Sequence, residues 1–132
     1  MAYLIDTDII IYSLKNDEHV KQKFRENQNI PKAISVITYG ELVYDAKKSS
    51  HIEKNLAVTY RIAELFPVID IDRSIMDVFA AINNNLERKG NIIEDMDILI
   101  AATALSHNLI LVTNNVKHFE KIKDLRMDNW KA

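Results

Sequence analysis

Short apolar runs alternate along this chain with longer stretches of helical spacing. Runs rich in β-branched and other apolar residues at Tyr3–Ile5, Ala33–Val36, Val68–Ile71 and Leu109–Val112, with a weaker one near Leu125–Met127, predict strands. Between them, apolar positions recur at helical intervals over 8–15, 18–28, 38–47, 51–66, 73–89 and 96–107. Thr38, Ser50, Asp72 and Asp95 stand where N-caps are expected, and Gly90 follows the fifth helical stretch as a C-terminal stop. Strands that alternate with helices imply a parallel sheet covered on both faces and joined by right-handed crossovers. The expected fold class is α/β.

Composition narrows this picture without changing it. A length of 132 residues with 48% apolar content fits one domain over residues 1–132, and two Gly, two Pro and no repeat leave no linker. The absence of cysteine excludes disulfides, thiolate zinc sites and cysteine nucleophiles, and a reducing cytoplasm is the simple reading. The opening MAYLIDTDIIIYSLKND carries Asp6 and Asp8 inside its apolar stretch and has no basic leader, so neither a signal peptide nor a membrane span is expected. With 17 Lys and Arg against 19 Asp and Glu, the net charge of -2 gives no hint of a nucleic-acid partner; any such affinity must come from local patches.

The candidate chemistry lies in the acids. Asp6 directly follows Tyr3-Leu4-Ile5, at the carboxyl end of the first strand, where open α/β sheets bind ligands. The alternative for Asp6, and more so for Asp8, is that it caps the following helix. Glu41 also falls just past a strand, but Thr38-Tyr39-Gly40-Glu41 has the form of a capping box, as does Ser50-His51-Ile52-Glu53. Asp97 opens Ile98-Leu99-Ile100-Ala101-Ala102-Thr103-Ala104-Leu105, apolar on nearly every side and read as a buried helix. Asp95 is the natural cap there. Asp97 is then surplus to structural need, and a desolvated carboxylate implies a partner. Thr113-Asn114-Asn115 follows the fourth strand and reads either as a fourth station of the site or as a polar turn.

Acids that arrive from distant segments at one sheet edge repel one another unless they share protons or bind a cation. Oxygen ligands, with neither Cys nor an H-E-x-x-H pattern, point to Mg²⁺ or Mn²⁺ rather than Zn²⁺. A cation of that kind can lower the pKa of a water, hold a phosphodiester and stabilise the leaving oxygen, which makes phosphodiester hydrolysis the leading reaction class. No Gly-rich phosphate loop and no G-x-S-x-G elbow are present, against P-loop nucleotide hydrolysis and serine esterases.

LIDTDIIIYSLK, ISVITYGELVYDA, IIEDMDILIAATAL and LILVTNNVKHFEKI, in this order, resemble the PIN-domain toxins of bacterial VapBC toxin–antitoxin pairs, and the likeness extends from Tyr3 to Trp130. The resemblance implies a compact α/β/α sandwich with a parallel sheet of order 3-2-1-4-5. It matches Asp6, Glu41 and Asp97 to acidic metal ligands, Thr7 and Asp8 to positions that order the site, and Thr113 to the start of the fourth motif, with Asp95 as an assisting neighbour. Asn115 departs from the pattern, since many members carry an Asp there, and one Mg²⁺ becomes the default. The implied activity is endoribonucleolytic cleavage of structured RNA, with initiator tRNA cut in its anticodon stem-loop by toxins of similar appearance. Implied partners are a small VapB-like antitoxin and a second copy of the chain, the homodimer assembling with the antitoxin into a larger complex.

Lys47, Lys48, Lys117 and His118 are candidates for RNA-backbone contact, against the alternative of a solvated charged surface. Tyr12, Tyr39 and Tyr44 read as packing or dimer contacts rather than base-stacking platforms. Two competing readings remain: a PIN-like RNA-binding module without catalysis, and a receiver-like signalling domain. The latter would use Asp70 or Asp72 near the third strand and leaves Glu41 and Asp97 without a role.

Overall fold

The computed structural model describes residues 2–131. Their elements run β1 (Tyr3–Ile5), α1 (Thr7–Leu14), α2 (Glu18–Glu26), β2 (Lys32–Ser35), α3 (Val36–Lys47), α4 (Ile52–Leu65), β3 (Val68–Ile69), α5 (Arg73–Arg88), α6 (Asp95–Ser106), β4 (Ile110–Val112), α7 (Val116–Phe119) and β5 (Met127–Asp128). The strands form a five-stranded sheet in the order β3-β2-β1-β4-β5, and every pairing is parallel. This is the α/β class expected from the strand–helix alternation and the strand order implied by the resemblance.

Alternation along the strands sends neighbouring side chains to opposite faces. Leu4 and Leu111 point into one core with Leu86 of α5, Ile98, Ile100 and Ala101 of α6, and Phe119 of α7. Ile5 and Val112 point into the other, with Ile9 and Ile10 of α1, Val20 of α2, Leu42 of α3, Ile62 of α4 and Trp130. Helices therefore cover both faces, as parallel strands buried on each side require. The chain moves outward from β1 through β2 to β3, then returns to place β4 on the other side of β1. The carboxyl ends of β1 and β4 flank this reversal, the place where such sheets form a crevice.

Two local signals act as expected. Asp72 caps α5, its Oδ1 accepting from Ile75 N at 2.9 Å. Gly90 takes φ +71 beyond the Lys89 C-cap, with Gly90 N bonded to Glu87 O at 3.1 Å and Asn91 N to Leu86 O at 2.9 Å. That is a Schellman ending, which a residue without Cβ adopts at least cost.

Three expected caps are corrected. α3 begins at Val36 behind Ser35, whose hydroxyl accepts from Ile37 N, so Thr38 lies inside the helix. The strand expected over Ala33–Val36 ends at Ser35, and Val36 opens the helix despite its β-branched preference. α4 starts after His51 rather than Ser50, with no side-chain cap bond, and the second supposed capping box does not form. α6 has Glu94 at its N-cap position, again without a side-chain bond, which leaves Asp95 in the first turn. The single turn α7 was absent from the sequence reading because four residues are too few to show a period. Among the described residues, no helix is long and apolar enough to cross a membrane.

Candidate active site

The reversal of strand order opens a pocket of about 680 Å³ whose lining includes Asp6, Asp8, Glu41, Asp97 and Asn115. Asp6 and Asp8 sit where β1 passes into α1, Glu41 lies in the second turn of α3, Asp97 in the first turn of α6, and Asn115 just past β4. Four separate segments thus deliver acids or an amide to one crevice. Thr113 is buried beside it, while Asp95 is exposed and does not line it.

Each acid accepts at least one hydrogen bond. Asp6 accepts from Thr7 N at 2.8 Å through Oδ1 and from the Thr113 hydroxyl at 2.8 Å through Oδ2. Asp6 is the N-cap of α1, so capping and lining the site are one placement rather than alternatives. Asp8 Oδ2 accepts from Asn114 N at 3.1 Å, and its buried Oδ1 has no hydrogen-bond partner. Glu41 Oε1 accepts from the Thr7 hydroxyl at 2.6 Å, with Thr38 Oγ1 3.0 Å from the same hydroxyl. The capping box proposed for Thr38 and Glu41 is therefore not formed, since both side chains face α1. Asp97 is half-buried rather than desolvated in the core, and its Oδ2 lies 2.9 Å from His118 Nε2. A carboxylate can only accept, so the ring nitrogen donates.

The electrostatics follow from crowding and burial. Burial pushes Asp6 up to about 7, with the charges of Asp8 and Asp97 adding to the effect and the Thr113 and Thr7 hydrogen bonds opposing it. Burial also raises Asp8, against the hydrogen bond from Asn114 N and with the charge of Asp97 adding to the effect. Glu41 is raised by burial and by Asp97, Asp45 and Asp8, with the Thr7 hydroxyl pulling the other way. Such a pocket is short of positive charge.

Among the described residues, no three His, Cys, Asp or Glu side chains are already drawn together tightly enough to hold a metal ion. The donors nevertheless fit a hard divalent cation in kind, because the lining acids offer oxygen alone and Asp8 Oδ1 is a buried acceptor without a donor. Asp6, Asp8, Glu41 and Asp97 are the residues that could hold such an ion.

The basic candidates lie outside this lining. Lys47 and Lys48 are exposed at the end of α3, where Lys48 Nζ stands 4.9 Å from the centre of the Tyr44 ring. Lys117 is exposed on α7, and His118 faces Asp97. Tyr12 and Tyr39 pack against the core, as expected, whereas Tyr44 is 63% exposed and lines the pocket with Met96 and Asp45. Sequence reasoning missed this rim. Asp45 and Tyr44 follow Glu41 by four and three residues, the spacing that shares a helix face, and that signal was there to read. It also missed the pairing of His118 with Asp97, which no local spacing announces.

Comparison with known proteins agrees with this geometry. The sequence profile of the PIN domain matches residues 3–125. Ribonuclease VapC2 of Haemophilus influenzae is 38% identical over 131 residues, covering 98% of each chain. The tRNA(fMet)-specific endonuclease VapC of Salmonella typhimurium is 36% identical over 131 residues, again covering 98% of each chain. Among solved structures, VapBC2 from Rickettsia felis bound to a DNA fragment from its promoter superposes with a TM-score of 0.91 at 32% identity, over 98% of this chain and 99% of that one. VapBC-1 from nontypeable Haemophilus influenzae gives 0.90 at 34% identity over 100% of both chains. On the sequence match and the shared sheet order, the chain belongs to the VapC family of PIN-domain ribonucleases.

Proposed function

We propose that this chain is the toxin of a type II toxin–antitoxin pair, an endoribonuclease dependent on Mg²⁺ or Mn²⁺ that cuts structured RNA and so arrests translation. The observation that carries the reading is the convergence of Asp6, Asp8, Glu41 and Asp97 on one pocket, with Asp6 pushed up to about 7. The substrate proposed is tRNA, initiator tRNA in its anticodon stem-loop above all. Two curated relatives named tRNA(fMet)-specific endonuclease support that choice.

Asp6 and Asp97 would hold the cation, with Glu41 completing the set or orienting the attacking water. When bound, a divalent ion supplies positive charge to the phosphate and makes a water more acidic. The protein's own part is placement. Thr113 and Thr7 fix both oxygens of Asp6, and the same Thr7 hydroxyl fixes Glu41, so one threonine sets the distance between two acids from different elements. Glu41, with its proton affinity raised, suits transient acceptance of a proton from the nucleophile. Asn115 contributes an amide where a further charge would add repulsion.

A VapB-like antitoxin and a second copy of the chain complete the proposed assembly, and the VapBC complexes among the structural neighbours support the antitoxin. The test is titration of Mg²⁺ or Mn²⁺ into the protein with a labelled tRNA pool. Metal-dependent cleavage is expected, and Asp6→Ala or Asp97→Ala should lower it at least about 100-fold while the far-UV spectrum is retained. RNA left intact at every metal concentration overturns the nuclease reading; binding without cleavage would favour a non-catalytic RNA-binding module instead.

A further inference from the structure

The segment from Thr113 to His118 touches three acids of the pocket. The Thr113 hydroxyl donates to Asp6, Asn114 N donates to Asp8, and His118 Nε2 donates to Asp97. The first two contacts come from the end of β4 and its turn. The third depends on α7, a single turn pinned by the fully buried Phe119, whose ring meets that of His118 edge-on at 5.5 Å between centroids.

Asp97, like Asp8 and Glu41, is held by a single hydrogen bond, whereas Asp6 has two. The α6 N-terminus makes no side-chain cap bond, and His118 supplies the one hydrogen bond to the Asp97 side chain among the described residues. Both partners are 30% exposed, so the contact adds little to stability. Its effect on geometry is larger. A carboxylate gripped at Oδ2 has its rotamer chosen and its other oxygen left available, which is how outer partners prepare metal ligands.

We infer that His118 is a positioning residue that presents Asp97 to a divalent cation, and that it is neither an RNA-backbone contact nor a structural pair. This rests on the functional reading above. It assigns to α7 the task of completing the site from outside the pocket lining.

The experiment is Mn²⁺ binding by isothermal titration calorimetry on the full chain without RNA, with His118→Ala and His118→Gln alongside. Loss of an outer partner of this kind typically costs 10–100-fold in metal affinity. We expect H118A to weaken Mn²⁺ binding by about that factor with Tm nearly unchanged. H118Q, whose amide N–H can replace the ring donor, should recover most of it. In RNA cleavage, H118A should raise the Mn²⁺ concentration giving half-maximal rate while keeping most of kcat at saturation. If H118A binds Mn²⁺ as tightly as the unaltered chain, or if H118Q is no better than H118A, the inference is wrong and the nuclease reading stands. A large fall in Tm with H118A makes the role structural and also overturns it. Failure of the unaltered chain to bind Mn²⁺ removes the metal-dependent reading, and this inference with it.

Discussion

Asp6 has both oxygens satisfied, by Thr7 N and the Thr113 hydroxyl, and still its proton is held up to about 7 against an ordinary value of 3.8. Hydrogen bonds to the charged form therefore lose to burial and to the neighbouring charges of Asp8 and Asp97. The folded chain retains a proton that the unfolded chain releases, so stability is full below about pH 4 and declines as pH rises through about 7. The cost at high pH reaches on the order of 4 kcal/mol, each tenfold step in proton affinity being worth about 1.4 kcal/mol. Asp6→Asn should flatten this slope, raise Tm at pH 8 relative to the unaltered chain, and abolish cleavage. Thermal denaturation between pH 5 and pH 8 without metal checks it. Equal slopes in the two proteins would show that Asp6 is not the group that titrates. Added Mg²⁺ should reduce the slope in the unaltered chain, since a cation offsets the repulsion a proton otherwise relieves.

At the scale of elements, the strand–helix alternation and the buried character of α6 were legible because they rest on long apolar periods. Boundaries were less so. The strand expected over Ala33–Val36 stops at Ser35, and the helix expected from Thr38 begins two residues earlier, at Val36. The same shift changed the meaning of Glu41: counted from Thr38 it occupies a capping position, but counted from Ser35 it faces α1 and the Thr7 hydroxyl. Asp6 and Asp97 could be singled out because a strand end and an apolar helix start are visible locally. His118 could not, since its partner lies 21 residues away and α7 has no period. Phe119 is what fixes that turn, and Phe119→Ala should cost about 3–5 kcal/mol by urea denaturation, as for a fully buried aromatic ring. Because α7 carries His118, the remaining folded protein should also lose Mn²⁺ affinity. A destabilised variant with unaltered affinity would separate the turn from the site.

Across the whole molecule, Trp130 closes the α1–α4 side of the sheet. Its ring lies edge-on to Tyr3 and Phe24 at centroid distances of 5.2 and 4.9 Å, its carbonyl is 2.7 Å from His19 Nδ1, and Lys131 beside it pairs with Asp17 at 3.1 Å. β1, α2 and the segment after β5 meet there. Trp130→Ala should destabilise by about 3–5 kcal/mol, far more than breaking the partly exposed Lys131–Asp17 pair, both read from urea midpoints. Comparable losses would mean that the ring packing contributes little.

The hydrogen bond from Thr113 to Asp6 spans 107 residues, and β1 has its neighbour β4 only when residues 110–112 are present. Contacts of such long sequence separation form late, and a chain emerging from the ribosome at about 5–20 residues per second cannot make this one until residue 113 has been synthesised. A growing chain therefore carries its acids apart, without the pocket. Whatever the folded protein does to RNA must wait until the strand that completes its pocket has been made.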